Sequence, residues 1–432
     1  MPRFLHLADV HLGYDRYDSP ARSRDFFEAF RDALERYAIA ERVDFVLIVG
    51  DLFEHRQVLP STLNQAQVCL EMLRQEGIPV LAIEGNHDYR LYGTQTSWLR
   101  YLADWELLIL LEPEESNQLE PWDPETHRGG YIDLACGVRV IGSQWYGAAA
   151  PQAILQLAAA IPALPPGPQH TVMMFHHGLE GQVARYSGAL RYQDLQPLRQ
   201  AGVDYLALGH IHRQYTVEDW IFNPGSVEAN SVSENQQQNP RGVYLVNLSP
   251  AGIAAQLQQD YYQRPIIRLQ LPADNLENAA AVEGAAISLV KHQKNTSAAI
   301  VELRITGHVR FPRLDLDARA LRQRLHELSG ALIFLLKYEV TTANFDTAIP
   351  NAEETQSRQD IEKLVFTDLL ASFGQYRQKA PDFATGVIEL KDKIRDQCPV
   401  ADLYEFSQQL CQRLDSEPNL EATPRNATPP KS

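Results

Sequence analysis

The sequence predicts an α/β chain, and three observations carry that prediction. Phe4–Leu7, Val43–Val49 and Ile78–Ile83 are short, almost continuous apolar runs, the pattern of strands covered on both faces. Between them lie stretches with helical spacing: Phe27, Phe30, Leu34 and Tyr37 mark one face of Arg24–Ala40, and Ser61–Glu76 reads as a second helix. Each run also ends in side chains that carry chemistry, as expected where functional loops gather at the C-terminal ends of strands.

The first strand delivers Asp9 and His11. The second ends in Gly50-Asp51. The third delivers Gly85-Asn86-His87-Asp88, where Gly85 permits a sharp turn that a Cβ would hinder. Asn86 offers a neutral carbonyl oxygen, His87 an acid/base group near neutrality, and Asp88 a carboxylate able to orient that imidazole.

Further along, Gly137–Gly142 reads as a strand and Ala159–Gln169 as a Pro-rich connector. Thr171–Phe175 is apolar and delivers His176-His177, and Val203–Leu208 delivers Gly209-His210-Ile211-His212. Asn223–Ser226 is a turn, Val227–Pro240 a polar surface loop, and Gly242–Leu248 a strand that closes the domain.

After Pro265 the pattern changes. Strands at Ile266–Leu271, Ile300–Ile305 and Ala331–Tyr338, with helices at Glu277–Val290 and Asp315–Leu328, form a small second α/β unit. Beyond Pro350, Ile361, Leu364, Val365, Leu369 and Phe373 mark one amphipathic helix, and Leu403, Phe406, Leu410 and Leu414 another. The Pro/Asn/Thr-rich stretch 416–432 reads as a disordered tail.

Composition sets the bounds. A chain of 432 residues with 44% apolar and 22% charged residues is expected to form two or three globular domains. No apolar stretch approaches the ~18 residues of a membrane span, and the first residues lack a signal-peptide pattern. Four cysteines without a CxxC pair suit buried thiols in the cytoplasm and disfavour a thiolate zinc site. A net charge of −16 argues against a protein that coats itself in nucleic acid. A metal pocket is acidic until its ions arrive, however, so DNA stays open as a substrate.

Asp9, His11, Asp51, Asn86, His176, His210 and His212 are all oxygen or imidazole donors. They exceed what one ion can use and fit two ions sharing a bridging carboxylate. The mixture suits Mn²⁺, Fe²⁺ or Zn²⁺ better than Mg²⁺. Such a pair of ions serves in-line hydrolysis of a phosphate ester. His87, near the ions but not on them, would stabilise developing charge or protonate the leaving oxygen, oriented by Asp88.

The ordered set D9-x-H11, G50-D51, G85-N86-H87-D88, H176 and G209-H210-x-H212 resembles the calcineurin-like metallophosphoesterase superfamily. More narrowly, LHLADVHLGY, SRDFFEAF, GDLF, IEGNHD, GHIH, NPGS and RGVYLV resemble the SbcD/Mre-type DNA repair nucleases. That resemblance implies a metallophosphoesterase β-sandwich flanked by helices (αββα) over 1–258. It also implies a DNA-capping domain over 262–345 and a C-terminal helical, partner-binding region over 350–415. It assigns Asp9, His11, Asp51 and His212 to one manganese ion, and Asp51, Asn86, His176 and His210 to the other. His87 becomes the catalytic histidine. The resemblance further implies a homodimer, bound to DNA and to an SbcC/Rad-type coiled-coil ABC ATPase.

Two positions depart from the family pattern. Glu54 stands directly after GDLF where some members have a histidine, which here follows as His55. His177 stands where many members have Gln and reads as a structural residue. The competing readings are weaker. A phosphoprotein phosphatase would show GDxxDRG where this chain has GDLFEHR, and a small-nucleotide esterase would lack the second domain. A non-catalytic adaptor would have lost ligands, whereas every position is filled.

Overall fold

The computed structural model describes residues 1–90, 93–94, 96–114, 117–182, 189–234, 240–250, 252–342, 358–371, 379–396 and 398–415. Two units divide the chain: Met1–Arg268 with Asn295–Glu302 and Gly330–Phe334, and Leu269–Lys294 with Leu303–Ser329 and Leu335–Ser432.

The first unit is built on two six-stranded sheets. One holds, in spatial order, β12 (Gly252–Gln258), β11 (Val243–Ser249), β1 (Arg3–Leu7), β2 (Phe45–Val49), β3 (Val80–Ile83) and β4 (Ile109–Leu110). The other runs β5 (Tyr131–Leu134), β6 (Val138–Ile141), β7 (His170–His176), β8 (Tyr205–Gly209), β10 (Ile221–Asn223) and β9 (Tyr215–Val217). The strands that end at the site are parallel: β1 with β2, β2 with β3, and β7 with β8.

Why the apolar runs are continuous follows from the period of a strand, whose successive side chains face opposite ways. Leu5 and Leu7 of β1 join a core with Phe30 and Leu34 of α1 (Pro20–Leu34), Leu70 of α2 (Pro60–Gln75) and Leu99 of α3 (Trp98–Asp104). Phe4 faces the other way, into a layer with Phe45, Leu81, Val172, Met174 and Tyr205 that joins the two sheets. Met173 and Phe175 of β7 turn to α4 (Ala150–Ala160) and α5 (Tyr192–Gln200), against Ile154, Leu157 and Leu195. The layers are therefore helix, sheet, sheet, helix, the αββα arrangement expected. Pro at the first turn of α1 and α2 fixes φ where no intrahelical N–H bond is lost, and Ser97 caps α3 by accepting the Arg100 N–H at 3.1 Å.

Several elements differ from the sequence reading. Strand β12 extends the first sheet beyond the strand expected to close the domain. Helix α5 escaped notice because Pro197 lies inside it. Val227–Pro240 is not a surface loop throughout: Val227, Glu228, Ala229 and Asn230 are buried. Arg22 holds that segment through the Ala229 carbonyl at 2.6 Å, and Tyr261 donates to the Val227 carbonyl at 2.7 Å. Backbone-directed bonds of this kind leave no mark on a hydropathy pattern.

Beyond the sandwich, β13 (Ile266–Pro272), β14 (Ile300–Val309) and β15 (Ile333–Thr342) form a three-stranded sheet in that order. Helices α6 (Ala279–His292) and α7 (Ala318–Ser329) belong to the second unit, joined by an Arg324–Glu283 ion pair at 2.5 Å. Among the described residues three helices follow: α8 (Arg358–Ala371), α9 (Ala380–Arg395) and α10 (Val400–Asp415). Helix α9 was not foreseen. Phe373 and the expected disordered tail 416–432 lie outside the described residues.

Among the described residues, no helix is long and apolar enough to cross a membrane.

Candidate metal centre

The loops that leave β1 and β2 are zipped together by their backbones. Asp9 N–H donates to the Gly50 carbonyl at 3.1 Å, and His11 N–H to the Asp51 carbonyl at 3.0 Å. Leu12 N–H donates to the Leu52 carbonyl, and Glu54 N–H to the Leu12 carbonyl, each at 2.9 Å. To turn this sharply at the strand ends, Asp9, His11 and Asp51 each take φ 53° and His210 φ 83°. Left-handed backbone at a non-glycine residue costs ~1–3 kcal/mol each, a cost that four of the site's residues bear.

Two donor clusters that share no residue result, and His11 with Glu54 and His87 forms a third that overlaps the first. In one, His11 Nε2 and His212 Nε2 face each other at 3.1 Å, with Asp9 Oδ1 at 4.0 and 3.9 Å from them. In the other, His176 Nε2 lies 3.2 Å from Asp51 Oδ2, and His210 Nδ1 lies 2.9 Å from Asn86 Oδ1. The backbone binds the clusters to one another, because Asp9 accepts the His210 N–H at 2.9 Å and Asp51 accepts the His87 N–H at 2.9 Å.

Burial and charge work against each other in these clusters. Burial would neutralise His176, but Asp51 beside it holds the ring charged and pushes its pKa up to about 9. For His212 burial is again overcome, by the hydrogen bond to Glu234 and by Asp9, and its pKa also rises to about 9. His210, buried next to the charged His176, is driven down to about 3. Burial raises Asp9. The same burial opposes ionisation of Asp51, yet His176 and its neighbours hold it well below the usual carboxylate range.

A divalent ion fits this arrangement on the chemistry of the donors. His176 donates Nδ1–H to the Val49 carbonyl at 2.7 Å, which leaves Nε2 as the nitrogen that faces Asp51, where an ion would take the place of the ring proton. That nitrogen is buried, and the Asp51 carboxylate is the group set against it. Space has also been cleared around the donors. A Cβ on Gly50 would stand 2.3 Å from His176 Nδ1, and one on Gly85 would stand 2.1 Å from Asp51 Oδ1.

His87 sits at the edge of both clusters, its ring centroid 5.1 Å from that of His11. The expected orientation by Asp88 is not what the structure shows. Asp88 accepts backbone N–H bonds from Leu52 at 3.1 Å, Phe53 at 3.0 Å and Gly85 at 3.2 Å, tying the GDLF loop to the GNHD turn. His87 Nδ1–H instead donates to the Glu54 carbonyl at 2.6 Å, so Nε2 is the nitrogen free for proton transfer. His177 is structural, its ring nitrogens at 3.2 Å from the Gly178 and Gly147 carbonyls. His55 turns away to Asp15 at 3.1 Å.

Four residues at the site carried no signal in the sequence reading. Glu234 lies in the polar stretch after NPGS and contacts His212 Nδ1 at 3.3 Å. Trp145 stacks on His177 at 5.7 Å and lies 5.3 Å from His210. Arg56 donates to the Asn86 carbonyl at 2.9 Å. With Gln57, also unremarked, and Glu54, His55, Asn86 and His87, it lines a cleft of about 540 Å³. The GDLFEHR string, read for a phosphatase motif, was the nearest pointer to Arg56.

Paired imidazole–carboxylate clusters at the ends of parallel strands in an αββα sandwich define a metal-dependent hydrolase of phosphoesters. Residues 2–214, which hold every residue of both clusters, match the calcineurin-like phosphoesterase family. The site is therefore one for divalent metal ions. Over 244 residues the chain is 33% identical to the DNA double-strand break repair protein Mre11 of Archaeoglobus fulgidus, covering 54% of this chain and 51% of that protein. It is 26% identical over 258 residues to the protein of that name from Saccharolobus solfataricus, with 58% and 61% covered. Against the Halobacterium salinarum protein, identity reaches 42% over 100 residues, 23% of this chain and 24% of that one. The chain thus spans about half the length of the first of these relatives.

Proposed function

We propose that this chain is a manganese-dependent DNA nuclease that hydrolyses phosphodiester bonds with two metal ions. Asp9, His11, Asp51 and His212 would hold one ion, and Asp51, Asn86, His176 and His210 the other. The observation that carries the reading is the pair of strand-end clusters with His87 beside them and the 540 Å³ cleft at their edge. Similarity to DNA double-strand break repair proteins supports DNA as the substrate.

When bound, the ions supply positive charge to the phosphate oxygens and acidify the attacking water. The protein's own residues do the rest. The Glu54 carbonyl fixes His87 so that Nε2 faces the cleft, where the imidazolium form donates a proton to the leaving oxygen. Arg56 clamps the Asn86 backbone, which keeps that amide oxygen aimed at the second cluster. Asp88 holds the two loops in register through three backbone bonds, a positioning role.

The reading extends to assembly as a homodimer with a coiled-coil ABC ATPase. Exposed Val365, Ile394, Val400 and Tyr404 on the C-terminal helices supply apolar surface for such a partner.

Cleavage of labelled single- and double-stranded DNA with Mn²⁺, Mg²⁺ or EDTA, for wild type and His87→Ala, tests the proposal. We expect Mn²⁺-dependent cutting that falls ~10²–10⁴-fold in the variant while metal binding persists. Hydrolysis of bis-p-nitrophenyl phosphate with DNA left intact would place the substrate among smaller phosphodiesters. Failure on both substrates despite bound Mn²⁺ would overturn the enzymatic reading.

A further inference from the structure

The two donor clusters are not equivalent, and the difference lies one contact behind them. In the second cluster His176 is held by a neutral backbone carbonyl, that of Val49 at 2.7 Å. In the first, both imidazoles have a carboxylate behind them. His11 and His212 meet through their Nε2 atoms at 3.1 Å, and each presents Nδ1 outward. Glu54 Oε2 lies 2.8 Å from His11 Nδ1, and Glu234 Oε1 lies 3.3 Å from His212 Nδ1. The array reads carboxylate, imidazole, imidazole, carboxylate, with Asp9 to one side.

The Glu234 carboxylate is itself fixed, and Glu54 is fixed through its backbone. Glu234 accepts the Asn230 N–H at 2.8 Å through its other oxygen, and its carbonyl accepts Arg241 Nη1 at 2.7 Å. Glu54 is anchored by its N–H on the Leu12 carbonyl at 2.9 Å, and its own carbonyl accepts the Nδ1–H of His87 at 2.6 Å. One residue therefore touches a metal-site imidazole through its side chain and the proposed catalytic histidine through its backbone. His55, the neighbour that departs from the pattern with it, takes no part, since it pairs with Asp15.

A carboxylate on the far nitrogen of a ligand histidine fixes its tautomer, raises its basicity and adds negative charge near the ion. From this geometry we infer that Glu54 and Glu234 are paired positioning residues that make the Asp9/His11/His212 cluster the tighter of the two divalent-cation sites. The inference rests on the two-metal reading above. The array predicts sequential filling: the first ion enters the braced cluster, and the second enters the Asp51/Asn86/His176/His210 cluster at higher concentration.

The test is calorimetric titration of the metal-free protein with Mn²⁺, for wild type, Glu54→Gln, Glu234→Gln and the double variant. Low-temperature electron paramagnetic resonance at one equivalent reports whether the bound Mn²⁺ is isolated or paired. Both substitutions keep size and hydrogen-bonding capacity while removing charge, and equal thermal unfolding in EDTA confirms that each variant is folded. Wild type should show two separable events. Either single variant should weaken the tighter one by ~10–100-fold and leave the weaker unchanged. The double variant should merge the two, so that paired Mn²⁺ appears already at one equivalent. Two events in wild type that stay as they were in every variant overturn this inference alone, as does equal weakening of both. A wild type that binds no Mn²⁺ overturns the proposed function as well.

Discussion

Two histidines in the same sandwich are equally buried and are driven in opposite directions. His6 lies on β1 among the inter-sheet side chains, where burial lowers its pKa to about 3. His176 lies at the end of β7, and its pKa rises to about 9. The difference is the partner. His6 accepts from the Tyr205 hydroxyl at 2.9 Å and donates to the Leu208 carbonyl at 3.0 Å, both neutral groups that satisfy a neutral ring. His176 faces the Asp51 carboxylate at 3.2 Å. A buried imidazole next to neutral partners is part of the core, whereas one set against a buried carboxylate marks a place prepared for charge.

The largest way to break that comparison is Asp51→Asn, which makes the environment of His176 neutral like that of His6. Removing the carboxylate proposed to serve both ions should lower phosphodiester hydrolysis by ~10³-fold or more, since metal charge on the phosphate is worth several kcal/mol. Mn²⁺ titration should show fewer bound ions at any given concentration. Retention of wild-type turnover would remove Asp51 from the centre of the chemistry.

Gly85→Ala sharpens the same point by moving Asp51 without changing its charge. The added Cβ would stand 2.1 Å from Asp51 Oδ1 and 2.6 Å from its backbone nitrogen, contacts that no rotamer change of Ala can relieve. Thermal unfolding in EDTA should show a loss of ~1–3 kcal/mol from overpacking, with weaker Mn²⁺ binding alongside. A variant as stable as wild type would mean that the turn can shift, and that Gly85 is not what sets the position of Asp51.

How much of this was legible in the sequence depended on the range of the interaction. Asp9, His11, Asp51, Asn86, His176, His210 and His212 could be read because each follows an apolar run, and both the run and its end are local features. The αββα layers were implied by the family resemblance, since runs covered on both faces call for two covering layers without saying which is helix and which is sheet. Glu234, Arg56 and Trp145 could not be read. Each is a single residue whose role appears only when a distant loop arrives, as when Glu234 meets His212. Asp88 was misread for the opposite reason. Its neighbour His87 is adjacent in the chain, yet the carboxylate turns back to the N–H groups of Leu52 and Phe53. Helix α5 was hidden by its internal Pro197, and the burial of Val227–Asn230 by a polar sequence.

The last expected effect, spread over several pH units, concerns His6 and tests the other side of the comparison. Its folded pKa of about 3 lies below the ordinary value of 6.5. Between those values the unfolded chain takes up a proton that the folded chain refuses, so stability rises with pH across that window. The contribution of a neutral His6 is complete above pH 6.5 and is lost progressively as the pH falls towards 3. At ~1.4 kcal/mol per unit of separation, the loss amounts to a few kcal/mol at most. Other groups titrate over the same range, so the measurement is a difference: urea unfolding of wild type and His6→Gln at steps from pH 7 to 4. Gln cannot titrate but can still accept from Tyr205 and donate to Leu208. Its cost should therefore be greatest near neutrality and shrink as the pH falls and wild type loses the His6 contribution. A gap independent of pH would mean that His6 titrates alike in the folded and unfolded chain, and that burial among neutral partners does not separate it from His176.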